Sequence, residues 1–259
     1  MVSQKDPFKF NSSAAKAFAV LEYLADSACS KDLGVISADL LMNKSTTYRF
    51  LATLCSLGYV VQNSENGRYA LGPKIVWLAS KYLEGIDLRA IARPFLETLV
   101  EKTRETVHLA ILDNSEVVYI DKVDGMQPVK MASRIGGRMP AHSTGLGKAL
   151  LAHLDEFHWQ EYITNVGLKT YTPNTIHDPE EFIQHLRLIR ERGYSIDNSE
   201  NEAGIRCVAV PVFDHTGQTI AAISISGWSL TMTPNRDGEL AKLAKCVAHE
   251  LSERLGNPR

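Results

Sequence analysis

The segment that most restricts the fold runs from residue 43 to residue 72, beginning "NKSTTYRFLATLCSLGYV" and continuing to "RYALG". Asn43 or Ser45 can cap a helix that reaches about Leu57, with Phe50, Leu51, Leu54 and Leu57 on its apolar side. Gly58 is placed to end that helix. "YVVQ" and "RYALG" then read as two strands joined around "SENG", where Asn-Gly favours a hairpin. Upstream, "SAAKAFAVLEYLA" (13–25) and "LGVISADLL" (33–41) read as two more helices. Three helices followed by a hairpin in about 65 residues predict a winged helix-turn-helix.

The third helix carries Lys44, Ser45, Thr46, Thr47, Tyr48 and Arg49 in its first turn and a half. Such residues suit a recognition helix, whose N-terminal side chains meet base edges and whose free N–H groups meet phosphate. Arg68 at the hairpin suits a minor-groove or phosphate contact. Taken alone, the same helix also fits an ordinary solvated face. The order of the elements, with Gly58 and the hairpin following, favours double-stranded DNA. Charge is a weak guide: residues 1–76 carry a balance of +2 and the remainder −4.

A connecting helix is expected over "KIVWLASKYLEGIDL" (74–88), ending near Gly85, and Pro94 is expected in the first turn of the helix that follows. Strands are expected at "TVHLAILD", "EVVYIDKV", "PVKMASR" (128–134), "YSID", "RCVAVPVFD" and "TIAAISISG". Helices are expected after "STG", near 155–165, over 179–192 and over 236–255. This pattern predicts an α+β domain on a roughly six-stranded antiparallel sheet. The organisation is therefore a DNA-binding domain over 12–74, a linker helix over 75–89 and a second domain over 90–259.

With 259 residues, 44% hydrophobic and 22% charged, the chain has ample material for folded cores. No apolar run nears the roughly 20 residues that span a bilayer, and the first residues lack the apolar core of a signal peptide. Four scattered cysteines without a CxxC pair suit reduced thiols in a cytoplasm. "GLGKALL" is not a P-loop, because Ala149 follows Lys148 and His142 stands at the early glycine position. No G-x-S-x-G element is present, and His153 and His158 are five apart on different helix faces. Cys207 lies in an apolar strand, as a structural thiol does more often than a nucleophile. No enzyme, metal or cofactor is expected.

Ser224 and Ser226, two apart in a strand, point to one face, opposite Ile223 and Ile225. Their hydroxyls need partners, which a bound acid or the neighbouring backbone can supply. "STGLGK" offers backbone N–H groups at a helix start, which suits an anion.

The chain resembles the IclR family of bacterial transcription regulators over nearly its whole length. The resemblance is carried by "KSTTYRFLATLCSLGYV", "RYALGPKI", "ETVHLAILD", "VVYIDKV", "SRIGGRMPAHSTGLGKALLA", "RERGYSIDNSENEAGIRCVAVPVFD" and "AAISISG", in the family's order. It implies a homodimeric or homotetrameric winged-helix regulator with a GAF/PAS-like effector domain that takes small organic acids. At the family's ligand-contact positions stand Met131, Met139, Gly145, Leu146, Asp197, Ile205, Cys207, Ser224 and Ser226. Met131 and Met139 are then apolar walls, Gly145 and Leu146 backbone donors, and Asp197 either an acceptor for a ligand hydroxyl or a protonated partner of a carboxylate. The alternative for Asp197 is a turn or cap residue.

Leu146 stands where a smaller residue is common, and Leu41 replaces a glycine often found in the helix-turn-helix turn. Lys16 replaces an arginine, and Ser199 breaks an acidic run. "MNKSTTYRFLATLCSLGYV" is most similar to the branch that controls sugar-acid catabolism, implying a 2-keto-3-deoxygluconate-like effector and repression of a catabolic operon. Alternative readings are a ligand-sensing protein-interaction module and an activator of an aromatic or keto-acid pathway. Paired winged helices imply a pseudopalindromic operator with half-sites about 34–36 Å apart or multiples of that. The linker-helix residues Ile75, Leu78 and Tyr82 are the expected dimer contact.

Overall fold

The computed structural model describes residues 12–27, 29–85, 87–127 and 131–258. The chain divides into two compact units, residues 1–86 and 87–259.

The first unit holds helices α1 (Ser12–Ala25), α2 (Leu33–Asp39) and α3 (Lys44–Ser56), strands β1 (Val60–Gln62) and β2 (Tyr69–Leu71), and helix α4 (Lys74–Glu84). Its core is Val20, Leu24, Ile36, Leu51, Leu54, Val60 and Tyr69. The Asn43 side chain caps α3 by accepting from the Thr46 N–H at 2.8 Å. At the other end Gly58 takes φ 81°, with Tyr59 N–H donating to the Leu54 carbonyl and Gly58 N–H to that of Cys55. That is a Schellman stop, and only a glycine reaches it without strain. Strands β1 and β2 are antiparallel, and Lys31 adds a bridge to Tyr69. Between them, Asn63 and Arg68 close a loop in which the Asn63 side chain accepts from the Glu65 and Asn66 N–H groups and Gly67 alone has positive φ.

The connecting helix stops beside Gly85, as expected, although the span given to the linker runs on to residue 89. Helix α4 ends at Glu84, and Leu88 already belongs to α5 (Leu88–Thr103), which the Asp87 side chain caps. Because α5 starts that early, Pro94 is not in its first turn but well inside it. It removes the N–H that would have reached the Ala90 carbonyl.

The second unit is built on one antiparallel sheet, β5-β4-β3-β8-β7-β6. Its strands are β3 (Thr106–Asp113), β4 (Glu116–Val123), β5 (Arg138–Pro140), β6 (Ser195–Asn198), β7 (Ile205–Phe213) and β8 (Thr219–Trp228). Asn114 and Ser115, both at positive φ, make the tight β3–β4 turn. The third strand departs from the sequence reading. Residues 131–134 are not a strand, and Pro128, Val129 and Lys130 lie outside the described residues. The sheet is completed instead by Arg138–Pro140, from the stretch read as a loop, paired with Glu116, Val117 and Val118.

Alternation sorts the sheet into two faces. Ala110, Ala209 and Ala222 face a cluster formed with α6 (Gly145–Leu151), α7 (Glu156–Asn165) and α8 (Pro179–Arg192). Small residues there let α6 approach closely. Helices α5 and α9 (Asp237–Arg254, behind a 3-10 turn at Pro234–Arg236) pack on the other side.

Candidate functional site

The sheet face beneath α6 carries a polar row set by register. Asp197 on β6 pairs with Cys207 on β7, and Cys207 with Ser226 on β8. Ser224, two residues away on the same face, pairs with His108 on β3. The row therefore crosses four adjacent strands, a span of roughly 14 Å at about 4.8 Å per strand.

A cavity of about 230 Å³ lies over this row. That is small against the roughly 300–1,000 Å³ of drug-sized sites and suits a compact metabolite. Met131, Met139, Gly145, Leu146, Asp197, Ile205, Cys207, Ser224 and Ser226 all line it. The fold thus brings together every residue expected at the effector positions. It adds some that the sequence reading missed: His108, Tyr119, Ser133, Thr144, Asn201 and Trp228.

Two groups shape its electrostatics. Asp197 is buried, and that burial raises its carboxyl to about 7, against a smaller lowering by Lys148. Its Oδ1 accepts the Glu200 N–H at 2.7 Å. His108, 2% exposed, is pushed down to about 3, first by burial and then by Lys122. It is a neutral ring at any working pH. Its Nε2 lies 2.7 Å from Ser133 Oγ, and its Nδ1 lies 3.4 Å from both Ser224 Oγ and Ser226 Oγ. Burial pushes the Cys207 thiol up, so it stays protonated rather than serving as a nucleophile.

Positioning comes from three local devices. The Thr144 hydroxyl caps α6 by accepting from Gly147 N–H at 3.2 Å. The N–H groups of Gly145 and Leu146 have no partner within the helix. A Cβ on Gly145 would stand 3.4 Å from Cys207 and 3.6 Å from Asp197, so this helix start lies directly over that end of the row. Lys122 Nζ ties down the strip 131–133, donating to the carbonyls of Met131 at 2.7 Å and Ser133 at 2.9 Å. No lysine or arginine side chain is among the lining residues described.

On the first unit, Lys44, Ser45, Tyr48, Arg49 and Arg68 are exposed and Thr46 is half-buried. Thr47 departs from the expected contact set. It is fully buried, one turn before Leu51, and its hydroxyl donates to the Asn43 carbonyl. It therefore serves the packing of α3 rather than its outer face. Lys16 of α1 is exposed beside Leu41, Asn43 and Thr46. Leu41 itself is 94% exposed, at φ 51°.

The family description "IclR helix-turn-helix domain" matches residues 13–64, and "Bacterial transcriptional regulator IclR C-terminal" matches residues 80–253. The chain belongs to the IclR family. It is 40% identical over 247 residues to the HTH-type transcriptional regulator KdgR of Dickeya chrysanthemi, covering 95% of this chain and 80% of that protein. It is 39% identical to the HTH-type transcriptional regulator XynR of Escherichia coli K12, covering 95% and 98%. The crystal structure of the Thermotoga maritima IclR aligns with a TM-score of 0.64 at 38% identity, over 94% of this chain and 98% of that one. The chain is thus an IclR-family DNA-binding transcriptional regulator of α+β fold, and its relatives are regulators rather than enzymes. Among the described residues no helix is long and apolar enough to cross a membrane.

Proposed function

We propose that this IclR-family regulator is a cytoplasmic repressor of a catabolic operon, released by a small organic acid of the 2-keto-3-deoxygluconate type. The observation that carries the effector reading is the cavity over the Asp197–Cys207–Ser226 row, where the start of α6 and the Ser224 and Ser226 hydroxyls meet apolar side chains in one enclosed space. An acid there binds by its carboxylate to the N–H groups of Gly145 and Leu146, with protonated Asp197 donating. Met131 and Met139 form apolar walls, with Leu146 and Ile205 beside them. The Ser224 and Ser226 hydroxyls face ligand oxygens.

Lys44, Ser45, Thr46, Tyr48, Arg49 and Arg68 are the proposed DNA contacts, with Lys16 an added phosphate contact. A second copy of the chain covers the apolar face of α4, where Val76, Trp77 and Leu78 are more than half exposed. Ile75 is half-buried there, and the side chain of Tyr82 lies outside the described residues. The resulting dimer or tetramer reads a pseudopalindromic operator, and the acid acts by preferring the state that does not fit it.

Thermal unfolding of the full chain with 2-keto-3-deoxygluconate tests the effector assignment. Ligand at 100 times its Kd should add about 2.7 kcal/mol of stability. An unchanged Tm across millimolar concentrations would contradict it.

A further inference from the structure

His108 stands at the opposite end of the polar row from Asp197, and no expectation from the sequence included it. Register puts it beside Ser224, two strands from Cys207 and three from Asp197, about 10 and 14 Å at roughly 4.8 Å per strand. Its ring packs against Tyr119, with centroids 4.9 Å apart. Both nitrogens face hydroxyls: Ser133 on one side, Ser224 and Ser226 on the other, with those two serines 3.1 Å from each other. A neutral imidazole offers one donor and one acceptor, and each serine hydroxyl offers a donor and two acceptor lone pairs. The cluster is therefore built to exchange hydrogen bonds with neutral polar groups. The cation nearby, Lys122, is committed to the Met131 and Ser133 carbonyls and to Asp124 at 3.0 Å.

The distance between the two ends makes the row a ruler. From bond lengths of about 1.5 Å, the end carbons of an extended six-carbon acid lie roughly 6–7 Å apart, and its terminal oxygens reach further. Those of a three-carbon keto acid lie only about 2.5 Å apart, less than one strand spacing. Held by its carboxylate under Gly145, the longer acid places its terminal hydroxyls at His108 and Ser133; the shorter one leaves them untouched.

We infer that His108, with Ser133, reads the terminal hydroxyls of a six-carbon sugar acid and so selects it over short keto acids. This rests on the organic-acid reading of the cavity given above.

Isothermal titration calorimetry of the full chain with 2-keto-3-deoxygluconate and with pyruvate tests it. Wild type should bind the six-carbon acid at least tenfold more tightly. His108→Phe should lose roughly tenfold or more for that acid, because the pocket's hydroxyls lose their partner. Pyruvate affinity should change less than about threefold, since pyruvate never reaches that end. Ser133→Ala, at a half-buried position outside the strands of the sheet, should move selectivity the same way. Equal losses for both acids, or none for either, would overturn the role of His108 while leaving the cavity's function intact. No binding of either acid to wild type would overturn the sugar-acid reading and this inference with it.

Discussion

Lys148 Nζ and Glu200 Oε1 lie 2.5 Å apart, with the lysine side chain wholly buried and the glutamate 5% exposed. Glu200 is held further by its Oε1 accepting from Asn198 N–H and its carbonyl accepting from the Thr175 hydroxyl. Its own N–H donates to Asp197. The pair thus fixes the turn that presents Asp197 to the cavity.

Removing one partner of such a pair leaves a buried charge uncompensated. Lys148→Met should cost about 3–5 kcal/mol, read as a lower urea midpoint. Adding Glu200→Gln should recover part of that loss, because no unpaired carboxylate then remains. If the double variant is as unstable as the sum of the single changes, the two residues are not coupled.

Asp197 links stability and ligand binding to pH. Its carboxyl is raised from 3.8 to about 7. Between those values the folded chain keeps a proton that the unfolded chain has lost, so this group's contribution to stability falls as pH rises through that window. Asp197→Asn should therefore become more stabilising from pH 4 to pH 7 and level off above. In wild type, affinity for the acid should fall about tenfold per pH unit above 7. A flat affinity between pH 6 and pH 9 would mean that Asp197 does not donate to the carboxylate.

Leu41 holds a left-handed conformation at φ 51° with its side chain almost fully in solvent. That conformation costs an L-residue roughly 1–2 kcal/mol, partly offset by the greater chain entropy of an unfolded glycine. Leu41→Gly should therefore stabilise the chain by about 0.5–1 kcal/mol, and Leu41→Val should destabilise it. Calorimetric melting distinguishes the two.

On α3, neighbouring threonine and arginine separate by role. Arg49→Ala should weaken operator binding and lower the log–log salt slope by about 1 if it meets a phosphate. Thr47→Ala should lower stability by about 1–2 kcal/mol and leave operator affinity unchanged where the chain is folded. Reversal of these effects would place Thr47 at the DNA.

What was legible in the sequence was mostly local. The Asn43 cap, the Gly58 stop and the period-2 placement of Ser224 and Ser226 depend on neighbours within a few residues. Thr47 was placed among the DNA contacts because only apolar residues mark the buried side of α3 in the sequence, and a threonine that bonds its own helix backbone can join that side. β5 is a three-residue edge strand, too short to show a period, and residues 131–134, read as part of a strand, are not one. Pro94 was misplaced because the cap at Asp87 lies a full turn and a half before the apolar pattern becomes clear. His108 and the Lys148–Glu200 pair depend on register between strands and on contacts 52 residues apart, which no window of sequence contains. Met131, Met139, Gly145, Leu146, Asp197, Ile205 and Cys207 were reached through family resemblance rather than periodicity, and Tyr119, Ser133, Asn201 and Trp228 join them only through the fold.

The most direct measurement is fluorescence anisotropy of the full chain titrated onto DNA from its own upstream region. Excess nonspecific competitor is present, and the titration is run with and without 2-keto-3-deoxygluconate and other small acids. The account predicts tight binding that weakens steeply with salt and is released by a sugar acid in wild type but not in Ser226→Ala. Specific binding that no acid alters would contradict the assignment of the cavity as the switch.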